Sequence, residues 1–153
     1  MKKIILFSIL LLSSLLVNAQ FTESKKPDSE KLITGLSYGW SIYEYTSYNP
    51  TKTTYCYIFQ DMTYINLHLQ YQLWFDSFDE FKNFVVALDR CIEDKELQLT
   101  NRETSTGYKY SLSHYNNMGS KNVEIYLYTP SGIKIGWIQK VDVNRLKEIV
   151  GIY

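Results

Sequence analysis

The sequence predicts an α+β fold of two layers, in which an antiparallel sheet of about seven strands carries two amphipathic helices on one face in the order βββ-α-ββββ-α. Three observations carry this. Apolar and polar residues alternate over several short stretches, the period of a strand with one buried face. Between Asp76 and Glu96 the period changes to threes and fours, as in a helix lying on a core. Short turn segments such as Tyr48-Asn49-Pro50-Thr51 and Pro130-Ser131-Gly132 link the strands closely, which makes sequential neighbours antiparallel.

The chain opens with Lys2 and Lys3, an apolar run from Ile4 to Leu12, and Leu15-Leu16-Val17-Asn18-Ala19 ahead of Gln20. A charged start, an apolar centre and a small residue at the cleavage point are the parts of a secretory signal peptide, here residues 1–19. The uninterrupted apolar run is shorter than the roughly 20 residues that span a bilayer, so no membrane insertion is expected after cleavage. No cysteine stands near Ala19 to accept a lipid, and the expected location is the periplasm or the medium without a lipid anchor. Residues 20–31 are polar, contain Pro27 and lack periodic apolar positions, which predicts a flexible N-terminal arm. About 120 residues, 32–153, then remain for a single α+β domain.

Within that domain Leu36, Tyr38, Trp40 and Ile42 alternate with Ser37, Gly39, Ser41 and Tyr43, which predicts a first strand running to about Thr46. Gly35 and Gly39 mark a bulge or a close backbone approach inside it. A second strand spans Thr53 to Phe59 and a turn at Gln60-Asp61 leads to a third, Tyr64 to Trp74. In this third stretch Ile65, Leu67, Leu69, Tyr71 and Leu73 form the inward set, and Tyr64, Asn66, His68, Gln70, Gln72 and Trp74 the outward one. The helix Asp76–Glu96 follows, with Phe78, Phe81, Val85, Leu88 and Ile92 as its stripe, Asp76 or Ser77 as cap, and Asp79 and Glu80 at the positive end of its dipole. Four more strands are expected at Leu97–Glu103, Tyr108–His114, Asn122–Thr129 and Ile133–Val141. Asp142 is expected to cap a terminal helix striped by Val143, Leu146, Ile149 and Val150.

Composition narrows the function classes. Lys and Arg number 16 against 16 Asp and Glu, and loss of Lys2 and Lys3 with the signal peptide tips the balance slightly acidic, so no basic field is available for nucleic acid. The two cysteines, Cys56 and Cys91, would meet an oxidising compartment, where a bridge closing a loop of about 35 residues would contribute roughly 3 to 4 kcal/mol. That bridge is reasonable if Cys56 shares an inner face with Ile58 under the helix; two free buried thiols are the alternative. Neither cysteine stands in a zinc-like spacing with a histidine, no calcium loop or Gly-rich phosphate cradle occurs, and no metal or cofactor is expected.

Tyrosine is the anomaly, with 14 in the chain. Tyr43 and Tyr45 point outward if Trp40 and Ile42 point in, and Tyr126 and Tyr128 point outward if Val123, Ile125 and Leu127 point in. Together with Tyr55, Tyr57, Tyr64, Asn66, His68, Gln70, Gln72 and Trp74 they describe a sheet face of phenols and amides without charge. Such residues give contact area at low entropic cost and a polar handle, which predicts a non-enzymatic binding protein for a protein, peptide or glycan. Two other readings use the same face: a small hydrolase with His68 as base, which lacks any supporting motif, and a structural homodimer joined through the tyrosines.

Overall fold

The computed structural model describes residues 29–117 and 119–153. The signal peptide and the arm up to residue 28 lie outside the described residues. Among the described residues eight strands form two four-stranded antiparallel sheets, not one sheet of seven: β1 (Ser29–Gly35), β2 (Ser41–Tyr48), β3 (Thr51–Gln60) and β4 (Gln70–Phe75) make the first, and β5 (Gln98–Glu103), β6 (Lys109–Asn117), β7 (Ser120–Thr129) and β8 (Gly132–Gln139) the second. Helix α1 (Phe78–Glu93) follows the first meander and α2 (Lys140–Val150) the second. Among the described residues no helix is long and apolar enough to cross a membrane.

The extra strand comes from the first expected one. β1 takes in Ser29, Glu30 and Lys31, which were expected in the arm, and a tight turn at Ser37–Gly39 separates it from β2. Leu36 N–H donates to Trp40 O at 2.7 Å, and Tyr38 and Gly39 take positive φ, so Leu36, Trp40 and Ile42 are buried while Tyr38 stands half in solvent. Glycine at position 39 makes this reversal inexpensive. The third expected strand is shorter than its alternation implies. Residues Met62–Leu67 form a 3-10 segment, His68 turns the chain with φ 50°, and only Gln70–Phe75 pairs with β3. Leu67 and Leu69, expected inside, are exposed.

Helix α1 begins where expected. Ser77 Oγ accepts Glu80 N–H at 3.2 Å, and the Glu80 carboxylate accepts Asp76 N–H at 2.6 Å, closing both ends of the first turn. The same carboxylate holds the β5–β6 turn through Ser105 N–H at 2.6 Å and Ser105 Oγ–H at 3.0 Å. Asp142 is not the cap of α2: Gln139 precedes the helix, and buried Asp142 in its first turn accepts Ser37 N–H with both oxygens at 3.2 Å. This carboxylate ties the turn after β1 to the last helix.

The core lies between the sheets and around α1. Phe84 brings both sheets together, with ring centroids 4.8 Å from Phe75 and 6.2 Å from Tyr57 on the first and 5.7 Å from Tyr110 on the second. Helix α2 packs on α1, β7 and β8. At one seam the sheets touch directly. Phe59 lies so close to Gly136 that a Cβ there would come within 2.5 Å of its ring, and Tyr57 OH donates to Trp137 O at 3.2 Å. Asp61, fully buried, accepts Thr63 N–H at 3.0 Å and, from the free edge of β8, Ile135 N–H at 3.4 Å. Lys134 Nζ stands 3.7 Å from Asp61 Oδ2 and 5.0 Å from the Tyr71 ring centroid. A hydrogen bond to Tyr71 raises the Lys134 pKa and, with the Asp61 charge, outweighs desolvation, so the ammonium stays protonated.

Candidate functional site

The expected single face of phenols and amides is divided among three places. Tyr43, Tyr45, Gln72 and Trp74 share the outer face of the first sheet, with Gln70 at its corner opposite Gln60. Tyr64, Asn66 and His68 leave that face for the exposed 3-10 segment and its turn. Tyr126 and Tyr128 lie on the outer face of the second sheet, as their alternation with buried Val123, Ile125 and Leu127 predicts. His68 is exposed and its Nδ1 lies 3.4 Å from Gln60 Nε2, an amide that cannot act as the orienting acid of a catalytic base.

On the first sheet the rings gather around a thiol. Register places Tyr43 and Trp74 on either side of Cys56, and the centroids of Tyr43 and Tyr45 lie 6.0 Å apart, those of Tyr45 and Trp74 4.8 Å. Trp74 Nε1–H donates to Gln72 Oε1 at 3.1 Å. Tyr55 and Tyr57, expected on the open face, are buried and point to α1, so Cys56 and Ile58, which alternate with them, point the other way. Cys56 and Ile58 do share a face, but it is the outer one, whereas Cys91 belongs to the buried side of α1. The sheet backbone stands between the two sulfurs, and both thiols are free. Burial, and after it the Glu30 charge, pushes the Cys56 thiol up to about 12; burial likewise pushes Cys91 up to about 11.

The second sheet presents a more connected surface. Its outer residues are Lys109, Ser111, Ser113 and Tyr115 on β6, Glu124, Tyr126 and Tyr128 on β7, and Ile133, Ile135 and Trp137 on β8. Glu124 sits at the hub: its two carboxylate oxygens accept the Tyr126 hydroxyl and, at 3.1 Å, Trp137 Nε1–H. The Trp137 ring in turn stacks on Tyr115 with centroids 5.0 Å apart. The oxygens of Tyr128 and Ser111 are 3.0 Å apart, and Ser111 Oγ accepts Asn101 N–H at 3.3 Å. Desolvation first, then the Glu124 hydrogen bond and charge, raises the Tyr126 pKa against a smaller opposing bond from Ser113.

Backbone irregularity shapes this face. The pairing of β5 with β6 shifts register between Leu99 and Arg102, and Asn101 takes φ 54°, a conformation that asparagine tolerates better than most residues. The bulge frees Asn101 N–H for Ser111 and opens the outer surface on either side. One depression of about 330 Å³ is lined by Gln98, Thr100, Ser111, Ser113, Tyr126 and Tyr128. A second of about 370 Å³ is lined by Asn101, Glu103, Lys109 and Tyr128. Tyr128 is the wall they share.

Against known protein families, curated proteins and solved structures the chain shows no match. Among the described residues no group of three or more His, Cys, Asp or Glu side chains is placed to hold a metal ion. Sequence reasoning missed Ser111, Ser113, Tyr115, Glu124 and Trp137. Strand parity was the available signal for all five, since each alternates with an inward residue, apolar in every case but Tyr115, whose inward neighbour is His114; the meeting of Glu124 with Trp137 depends on the β7–β8 register.

Proposed function

We propose that the chain is an exported, non-enzymatic binding domain whose ligand lies on the outer face of the second sheet. The observation that carries this reading is the pair of depressions about Tyr128, where Tyr128 and Ser111 hold one another and Glu124 holds Tyr126. Side chains fixed in advance lose little freedom when a ligand arrives, which favours recognition over mere solvation. A hydrolase centred on His68 has less support, because its ring stands exposed beside an amide. The aromatic row of the first sheet is a second contact surface, and Leu32, exposed beside Tyr43 in register, extends it toward a protein partner or a second copy.

The test is a comparison of variants on a panel of immobilised peptides and glycans. Tyr126→Phe combined with Tyr128→Ala should abolish retention on whatever the wild-type chain binds, whereas Tyr43→Ala combined with Tyr45→Ala should leave it. Unchanged retention by the first double variant, folded by circular dichroism, would refute the assignment of the site.

A further inference from the structure

We infer that the groove on the second sheet takes a neutral, linear oligosaccharide, with one sugar ring stacked on Tyr128 and its neighbours seated in the two depressions beside it. This rests on the binding reading above and specifies its ligand. Four features of the face lead here.

The first is charge. Every side chain lining the 330 Å³ depression is uncharged. In the second depression Lys109 and Glu103 approach to 4.0 Å and offset one another. Glu124 is ionic, but Tyr126 and Trp137 occupy both of its oxygens. An anionic ligand would find no cation in the first depression, and a cationic one no free carboxylate.

The second is hydrogen-bond polarity. With its proton given to Glu124 and a bond already received from Ser113, the Tyr126 hydroxyl can only accept from a ligand. Thr100 and Gln98 can each donate or accept, and Ser113, whose proton goes to Tyr126, can accept. A mixture of fixed acceptors and adaptable groups suits sugar hydroxyls, which do both.

The third is ring attitude. Ser111 lies on β6 and Tyr128 on β7, diagonal neighbours on one face, and their oxygens meet at 3.0 Å. To reach that serine the phenol must lean across the sheet, which covers Ser111 to 5% exposure while leaving Tyr128 itself 42% exposed. A leaning, half-exposed ring offers a flat apolar surface with polar groups at its rim. The C–H face of a pyranose with equatorial hydroxyls is its complement.

The fourth feature separates sugar from peptide. Extended peptides are held on sheets chiefly by main-chain pairing along a free edge. Here the depressions lie on the face above β5, β6 and β7 and not along the free edge of β5, and β6 beneath them is paired on both sides, so recognition falls to side chains. Two depressions in line along the strands, divided by Tyr128, fit a chain of repeating rigid units.

The experiment is calorimetric titration of the mature chain with β-1,4-linked hexamers of glucose and of N-acetylglucosamine, and with the corresponding dimers. At least one hexamer should bind saturably and its dimer about tenfold more weakly, because a dimer fills one depression only. Tyr128→Ala should weaken the hexamer at least about tenfold, and Tyr128→Phe, which keeps the ring but frees it from Ser111, by a smaller factor of about three to five. Absence of saturable binding by both hexamers overturns the inference, as does hexamer binding that Tyr128→Ala leaves unchanged. Retention of a peptide that Tyr126 and Tyr128 variants lose, with no sugar bound, overturns the saccharide assignment and leaves the binding face standing. Insensitivity of every ligand to those variants removes both.

Discussion

The two sheets carry similar aromatic side chains on their outer faces and wire them differently. On the first sheet Tyr43, Tyr45 and Trp74 lie against one another around a buried thiol, and the polar bond in the row joins Trp74 to Gln72. On the second sheet Tyr126, Tyr128 and Trp137 each give a polar atom to a partner on the face, Glu124 or Ser111, and two depressions open between them. Tyrosine content alone therefore does not mark a site. What distinguishes the second face is that its phenols are oriented by partners before any ligand is present.

Breaking the join between the sheets should have the largest effect on both faces. Gly136→Ala would drive a methyl into the buried Phe59 ring, and overpacking of this kind costs about 3 kcal/mol. A thermal melt should shift down by roughly 10 °C as a single transition. Two separated transitions would show instead that the sheets unfold independently.

Removing one hydroxyl from each face sharpens the contrast. Tyr126→Phe leaves Glu124 without one of its donors and should cost about 1 to 2 kcal/mol in urea unfolding. Tyr45→Phe, whose ring contacts survive, should stay within about 0.5 kcal/mol. Equal costs would erase the distinction drawn between the two faces.

Alkaline pH should act on the first face through Cys56. Its folded pKa, raised by burial from the ordinary 9.0 to about 12, means that the folded chain keeps a proton the unfolded chain gives up. The associated stability is fully present below pH 9.0 and is lost as pH climbs toward 12. Tyr45, raised from 10.0 to about 12 by burial and then by the Cys56 charge, adds to the same decline. A thiol reagent at pH 8 should find both cysteines inert in the native chain and label both in denaturant. A count of zero in denaturant would mean that the thiols pair after all. The smallest effect is expected at His68→Ala, within about 0.5 kcal/mol and without consequence for ligand retention.

Much of this was legible in the residues. The stripe of Phe81, Val85, Leu88 and Ile92 and the Ser77 and Glu80 pair specify α1 from local chemistry alone. Val123, Ile125 and Leu127 alternate so cleanly that the outward direction of Tyr126 and Tyr128 follows. The stretch from Tyr64 to Trp74 misled because its alternation is a property of composition and its conformation is set from afar. Asp61 N–H donates to Leu69 O at 3.1 Å, closing a loop over Met62–Leu67, and Asp61 itself is held by Ile135 of the last strand. Periodicity within eleven residues cannot register such a partner. The same limit hid the hub at Glu124, whose donors come from two strands.

The seam has a consequence for the order in which the molecule can be made. Tyr57, Phe59 and Asp61, three positions at the end of β3, all find partners on β8: the carbonyl of Trp137, the bare backbone of Gly136 and the N–H of Ile135. A ribosome that has finished the first meander has therefore produced a sheet with a phenol, a phenyl ring and a carboxylate still waiting for residues 74 to 80 places further on. The first half is thus not a module that can be cut out or shuffled by itself, and a nascent chain must hold its first sheet unfinished until nearly the last strand emerges.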